Sequence, residues 1–172
     1  MIIVLLGYMG CGKSTIGQQL ADNMGYSFLD LDVFIEAHQK LSVSELFKIK
    51  GEVQFRAIER RAVETVCRSH DNLVLALGGG TPCYSNTMTF LVEHPNVQTV
   101  YLKSSIQTLY SRLVNEKSKR PLIEHISDEK LTEFIAKHVF ERSKFYNQAQ
   151  LVVLSDNNSV NAIATEILRE LN

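Results

Sequence analysis

A five-residue apolar run, Ile2–Leu6, leads directly into Gly7-Tyr8-Met9-Gly10-Cys11-Gly12-Lys13-Ser14, and a helical pattern over Lys13–Met24 follows without a gap. No other feature constrains the fold as tightly. A short run without polar alternation suits a strand buried on both faces of a parallel sheet. The octapeptide fits G-x-x-x-x-G-K-[ST], in which glycines let the backbone turn its N–H groups inward around a phosphate. The helix that begins near Lys13 adds the positive end of its dipole. Lys13 is therefore the candidate partner of the β- and γ-phosphates, and the Ser14 hydroxyl the candidate Mg²⁺ ligand. A flexible glycine turn is the competing account, but the motif sits between the strand and the helix that it requires. Cys11 reads as a small tolerated residue of the loop.

The rest of the chain keeps the alternation. Tyr26–Leu29, Leu73–Leu77, Val97–Leu102 and Gln150–Leu154 read as further short strands. Helical patterns cover Asp32–Lys40, Glu52 to about Arg68, Met88–Glu93, Ile106–Val114, Ser127–Ala149 and Val160–Leu171. Ser42 with Glu45 three residues on makes a capping box, and Ser127 is the candidate cap of the long helix. Asn115–Glu124 is polar and basic and contains Pro121, so it reads as a mobile loop. Five strands separated by helices predict an α/β fold, an open five-stranded parallel sheet flanked by helices, in one domain over residues 1–172.

Composition narrows the partners. Eighteen Lys and Arg against nineteen Asp and Glu leave a net charge of −1. That gives no case for nucleic acid or an anionic membrane as the main partner. No apolar run approaches the ~20 residues of a membrane span. Met1–Leu6 lacks the basic region of a signal peptide. Cys11, Cys67 and Cys83 are an odd number without CxxC spacing, which suits a reducing cytoplasm better than a disulfide framework.

The phosphate loop leaves the phosphoryl acceptor open, and four features bear on it. Asp30 and Asp32 end the second strand, where a period of 2 points both side chains the same way. One could serve Mg²⁺ and the other an attacking hydroxyl; a helix cap plus a solvated acid is the alternative. Arg56 with Glu59 offers a planar fork for a carboxylate, held by a neighbouring acid, or else an ordinary surface ion pair. Gly78-Gly79-Gly80 after the third strand permits a ligand to approach the backbone closely, more than a plain turn needs. Last, Arg112, Lys117, Lys119 and Arg120 precede Pro121, with Arg142 beyond. A solvated charge run is the usual account, but a closing loop carrying Arg120 would stabilise the developing charge and exclude water.

Taken in order, Gly7–Thr15, Phe28-Leu29-Asp30-Leu31-Asp32, Gly51-Glu52-x-x-Phe55-Arg56-x-x-Glu59, Gly78–Gly80, Arg120-Pro121-Leu122 and Arg142 with Tyr146 and Ala149 resemble the bacterial and plant type of shikimate kinase along essentially the whole chain. The resemblance implies a P-loop fold of the nucleoside-monophosphate-kinase type. A lid lies at about residues 115–124 and an acceptor-binding helical region at about 32–62. It implies transfer of the γ-phosphoryl of ATP, with Mg²⁺, to the 3-hydroxyl of shikimate. It further implies that Gly10, Cys11, Gly12, Lys13, Ser14 and Thr15 bind ATP, with Arg112 stacked on adenine and the Ser155–Asn158 loop, Asn157 within it, reading the adenine edge. Asp30 would hold Mg²⁺ with Ser14. Asp32 would bind the acceptor diol and take its proton. Arg56 and Arg142 would clamp the carboxylate, supported by Glu59, while Gly78, Gly79 and Gly80 meet the substrate through the backbone and Arg120 closes over the phosphates. A cytoplasmic monomer is expected. One departure is Lys144, where the family often has Pro, which bears on the bend of the helix carrying Arg142.

Gluconate also carries a carboxylate and hydroxyls, so a gluconate kinase shares the physical argument for the clamp. A nucleoside-monophosphate kinase would need a base-reading pocket that the sequence does not display. A regulatory module without transfer activity should have lost Lys13 or an aspartate, and both are present.

Overall fold

In the computed structural model, residues 1–156 and 158–171 are described. Five strands, β1 (Ile2–Leu6), β2 (Ser27–Asp30), β3 (Leu73–Ala76), β4 (Val97–Lys103) and β5 (Leu151–Leu154), form one sheet in the order β2-β3-β1-β4-β5. Every pairing is parallel. All residues of β1 and β3 are buried, which explains why these runs carry no polar alternation. The edge strands β2 and β5 are more open, with Val152 and Leu154 exposed.

Among the described residues, eight α-helices connect and follow the strands: α1 (Lys13–Met24), α2 (Leu31–Gln39), α3 (Val43–Ser69), α4 (Thr87–Glu93), α5 (Ile106–Leu113), α6 (Pro121–Glu124), α7 (Asp128–Tyr146) and α8 (Val160–Leu171). The predicted boundaries of β1, α1 and α8 agree with those observed, and the other elements shift by one to a few residues.

Three local findings differ from the sequence reading. The capped segment after Ser42 and the helix from Glu52 run on as one element, α3, broken only at Gly51 (φ 74°, ψ 169°). Both legs of the Ser42–Glu45 capping box form. The segment read as a loop has regular structure: a 3₁₀ stretch, Val114–Lys119, then α6. Proline explains the second part, because its fixed φ suits the first helical position and forces the preceding Arg120 into an extended conformation (φ −132°, ψ 93°). Ser127 stands at the N-cap of α7 but its side chain makes no capping hydrogen bond. Instead Asp128 and Glu129 occupy the first turn, where their charges complement the helix dipole.

The topology sets the position of the site. β1 and β3 are adjacent and parallel, so the loops that leave their carboxyl ends emerge side by side. One is the glycine-lysine loop and the other is Gly78–Gly80. Open α/β sheets place their ligand crevice at this edge.

Candidate active site

The loop after β1 is held by its own backbone. Gly12 caps α1 in the left-handed region (φ 99°), which a side chain would strain. The Lys13 ammonium donates to the carbonyls of Gly7 (2.9 Å) and Tyr8 (3.0 Å). Ser14 donates its hydroxyl to Asp30 Oδ2 at 2.9 Å. The other oxygen of Asp30 accepts the N–H of Asp32 at 3.0 Å and so caps α2.

This geometry corrects the reading of the aspartate pair. The strand ends at Asp30, and Asp32 lies in the first turn of α2. The two carboxylates are neighbours through an N-cap, not through strand periodicity. Asp30 caps with one oxygen and meets Ser14 with the other, so the cap leaves its second oxygen to the glycine-lysine loop. Burial pushes the Asp32 carboxyl up to about 6, and the nearby charges of Asp30 and Glu59 add to it while Lys13 opposes them.

Arg56 and Glu59 are not a surface pair. Glu59 is 2% exposed and its Oε2 accepts from the Arg56 guanidinium at 2.7 Å. Its Oε1 accepts from the Thr81 hydroxyl at 2.5 Å. Glu52 takes another Arg56 nitrogen at 3.2 Å. The Arg56 guanidinium lies 4.5 Å from the ring centre of Tyr84, with Phe47 and Phe55 also within cation–π range. Its Nε is buried without a partner among the described residues.

Gly78–Gly80 meets these side chains one by one. A Cβ added to Gly78 would lie 2.9 Å from Thr81 Oγ1, 3.1 Å from Glu59 and 3.3 Å from Asp32. At Gly79 it would meet the backbone of the glycine-lysine loop (Met9 N at 3.4 Å, Gly7 O at 3.6 Å) and Arg142 at 3.5 Å. At Gly80 it would come within 2.8 Å of the Arg56 guanidinium. The triple glycine was expected to make room for a ligand. The structure shows it making room for Asp32, Glu59, Arg56 and Arg142, gathered around one short segment.

Arg142 stands on α7 with its guanidinium 5.4 Å from the Tyr8 ring centre. Tyr8 is almost fully buried, its hydroxyl 3.3 Å from His138 Nδ1. Burial raises its pKa to about 12 against the pull of Arg142. Arg112 reaches from α5 to the Gly10 carbonyl (3.0 Å) and the Ser155 carbonyl (3.2 Å), bridging the glycine-lysine loop and the loop after β5. Asn157 lies outside the described residues. Arg120 is not brought to the glycine-lysine loop: it pairs with Glu116 one turn before it (2.8 Å). Cys11, Cys67 and Cys83 are all free thiols.

Sequence reasoning gave no role to Thr81, Tyr84 or Tyr146. Thr81 follows the triple glycine directly and Tyr84 comes three residues later, but only folding lays them against Glu59 and Arg56. Tyr146, at the end of α7, donates to the Gly79 carbonyl at 2.5 Å, a contact across 67 residues that no local pattern signals.

The family model described as shikimate kinase matches residues 9–172. A shikimate kinase of Flavobacterium johnsoniae is 49% identical over 166 residues, 96% of each chain. One from Flavobacterium psychrophilum is 41% identical over 96% of this chain and 95% of its own. Among solved structures, shikimate kinase from Bacteroides thetaiotaomicron superposes with a TM-score of 0.92 at 33% identity, covering 99% of this chain and 98% of that one. The Acinetobacter baumannii shikimate kinase, solved in complex with shikimate, gives 0.88 at 29% identity over 99% and 92%.

Proposed function

The chain belongs to the shikimate kinase family, and we propose that it moves the γ-phosphoryl group of ATP onto the 3-hydroxyl of shikimate. The products are shikimate 3-phosphate and ADP, on the route to chorismate and the aromatic amino acids. The observation that carries this reading is the gathering of Asp32, Glu59, Arg56 and Arg142 around Gly78–Gly80, with Gly79 directly against the glycine-lysine loop. An acceptor held there has its hydroxyls beside a carboxylate and its own carboxylate beside two guanidiniums, next to the nucleotide's phosphates.

The roles follow from chemistry. The glycine-lysine loop, Gly10 to Thr15, cradles the phosphates with its N–H groups, and Lys13 neutralises the β- and γ-oxygens. Ser14 and Asp30, already 2.9 Å apart, are hard oxygen donors of the kind Mg²⁺ takes, with phosphate and water completing its shell. When bound, that ion would draw charge from the transferring group. Asp32 accepts a hydrogen bond from the attacking hydroxyl. With its pKa near 6 it is ionised at neutral pH yet basic enough to take the proton. Arg56, fixed by Glu59, and Arg142 hold the carboxylate. Arg112 supports the adenine together with the Ser155 loop.

We read residues 115–124 as a lid and about 32–62 as the acceptor-binding region, within a single kinase domain over 1–172. For Arg120 to reach the phosphates it must leave Glu116, so closure exchanges a half-exposed ion pair, worth little in water, for a phosphate contact. We read the protein as a cytoplasmic monomer. The three free thiols agree with a reducing compartment, and no helix among the described residues is long and apolar enough to cross a membrane.

The test is ADP release with ATP and Mg²⁺, offering shikimate, gluconate, AMP or CMP at equal concentration. Turnover with shikimate alone is the expected result. Turnover with gluconate or a nucleotide instead would overturn the acceptor assignment and leave only the nucleotide site.

A further inference from the structure

A run of three glycines is the most freely rotating backbone a chain can have, so the orientation of its peptides has to be imposed from outside. Each of its three carbonyls is tied, that of Gly80 by the Cys83 N–H at 2.9 Å. Thr81, 1% exposed, closes the turn by donating its N–H to the Gly78 carbonyl (3.1 Å) and ties its hydroxyl to buried Glu59. The pin on Gly79 is Tyr146. Its side chain has no exposure, its ring packs on Tyr101 of β4 with centres 5.1 Å apart, and its hydroxyl donates to the Gly79 carbonyl. Burial holds that hydroxyl far above the ordinary phenol range, with Arg142 opposing, so it remains a donor at every working pH.

We propose that Tyr146 is a positioning residue for phosphoryl transfer: by drawing the Gly79 carbonyl into the core it turns the Gly80 N–H outward to the acceptor. In a trans peptide the C=O and N–H of one unit point in opposite directions. Fixing one therefore aims the other. Among the described residues, the N–H groups of Gly79 and Gly80 donate to no protein group. The Arg56 guanidinium lies beside Gly80, within 2.8 Å of where its Cβ would be. Without the hydroxyl, the half-buried Gly79 carbonyl loses its protein partner, and the freely turning glycines can rotate it toward water. The same α7 carries Arg142 one turn earlier, so a single helix end sets both a side-chain and a backbone contact to the acceptor. The inference rests on the reading that this crevice takes shikimate.

The experiment is Tyr146→Phe, which keeps the ring and removes the donor. The KM for shikimate should rise about three- to tenfold, the worth of one hydrogen bond, while the KM for ATP stays within about twofold. The Gly80 amide resonance should move in the ¹⁵N spectrum without ligand. Equal shifts in both KM values, or an unmoved Gly80 amide, overturn the role. If the wild type turns over no shikimate, the functional reading falls on its own and the Gly80 resonance still decides the question of Tyr146. If Y146F does not fold, the wild-type protein decides. A Tyr146 hydroxyl proton that exchanges with water as fast as that of exposed Tyr84 excludes the pin, and a slowly exchanging one supports it.

Discussion

The glycine-lysine loop and the acceptor crevice touch each other but are built on different plans. The loop is local: its donors are successive backbone groups, and even Lys13 rests on carbonyls five and six residues away. The crevice is assembled from distant segments, with Asp32, Arg56, Gly79 and Arg142 brought together by α2, α3, β3 and α7. The loop presents dipoles that cost little to keep near water. The crevice keeps the carboxylate of Glu59 buried, which is stable only while Arg56 and Thr81 stay in place. A phosphate site can thus be encoded in eight residues, whereas a site that tells one small acid from another needs side chains fixed by the whole fold.

Substitutions test that contrast. Lys13→Ala should lower kcat by about a thousandfold or more while leaving Tm within about 2 °C, if the side chain serves phosphates, as proposed, and not the core. Full turnover in a coupled ADP assay would sink its role. Asp32→Asn should lower kcat by about a hundredfold or more and abolish the rise of kcat/KM with pH through about 6 that the wild type should show. Its effect on stability has the opposite sign. The folded-state pKa of Asp32 is raised above 3.8, so the stability it contributes is full below that pH and is lost as pH rises through about 6. Differential scanning at pH 7.5 should therefore find the Asn variant more stable than the wild type, and at pH 4 the two should nearly coincide. A wild type that melts higher at pH 7.5 contradicts the desolvation account.

Arg56→Ala should raise the shikimate KM about ten- to a hundredfold, with the ATP KM changed less than about threefold. It should also lower Tm, since Glu59 is left buried with Thr81 as its remaining donor. Comparable losses for both substrates would make Arg56 structural and erase the distinction between the two regions. The smallest effect belongs to Tyr8→Phe, which deletes only the long contact to His138. Titration of either substrate should change less than about threefold; a larger loss confined to ATP would mean that the loop depends on α7 after all.

Legibility in the sequence follows the same division. β1, the glycine-lysine loop and α1 are written in consecutive residues, and their boundaries could be read directly. Asp32, Arg56 and the triple glycine could be picked out by type and order, yet the reasons offered were partly wrong. The aspartates are joined by a helix cap and not by strand periodicity, and the space beside the glycines is taken up by protein side chains. The regular structure of residues 114–124 was hidden because four-residue helices have no period to detect. Tyr146 was hidden for a stronger reason. A hydroxyl in a helical pattern does not say which carbonyl it will meet, and the one it meets belongs to a loop reached only after the sheet has formed.

The clearances at Gly78–Gly80 also limit how the gene can drift. Every missense change at a glycine codon introduces a Cβ. At codon 78 that atom presses on Thr81 and Glu59, and at codon 80 on the guanidinium of Arg56, all within about 3.1 Å. Codon 79 is different, since its nearest neighbours stand at 3.4 Å or more, an ordinary contact distance. In a saturation library selected only for folded, soluble protein, alanine should survive at 79 and be depleted at 78 and 80. Selection for growth that depends on the enzyme's turnover should then remove it from 79 as well.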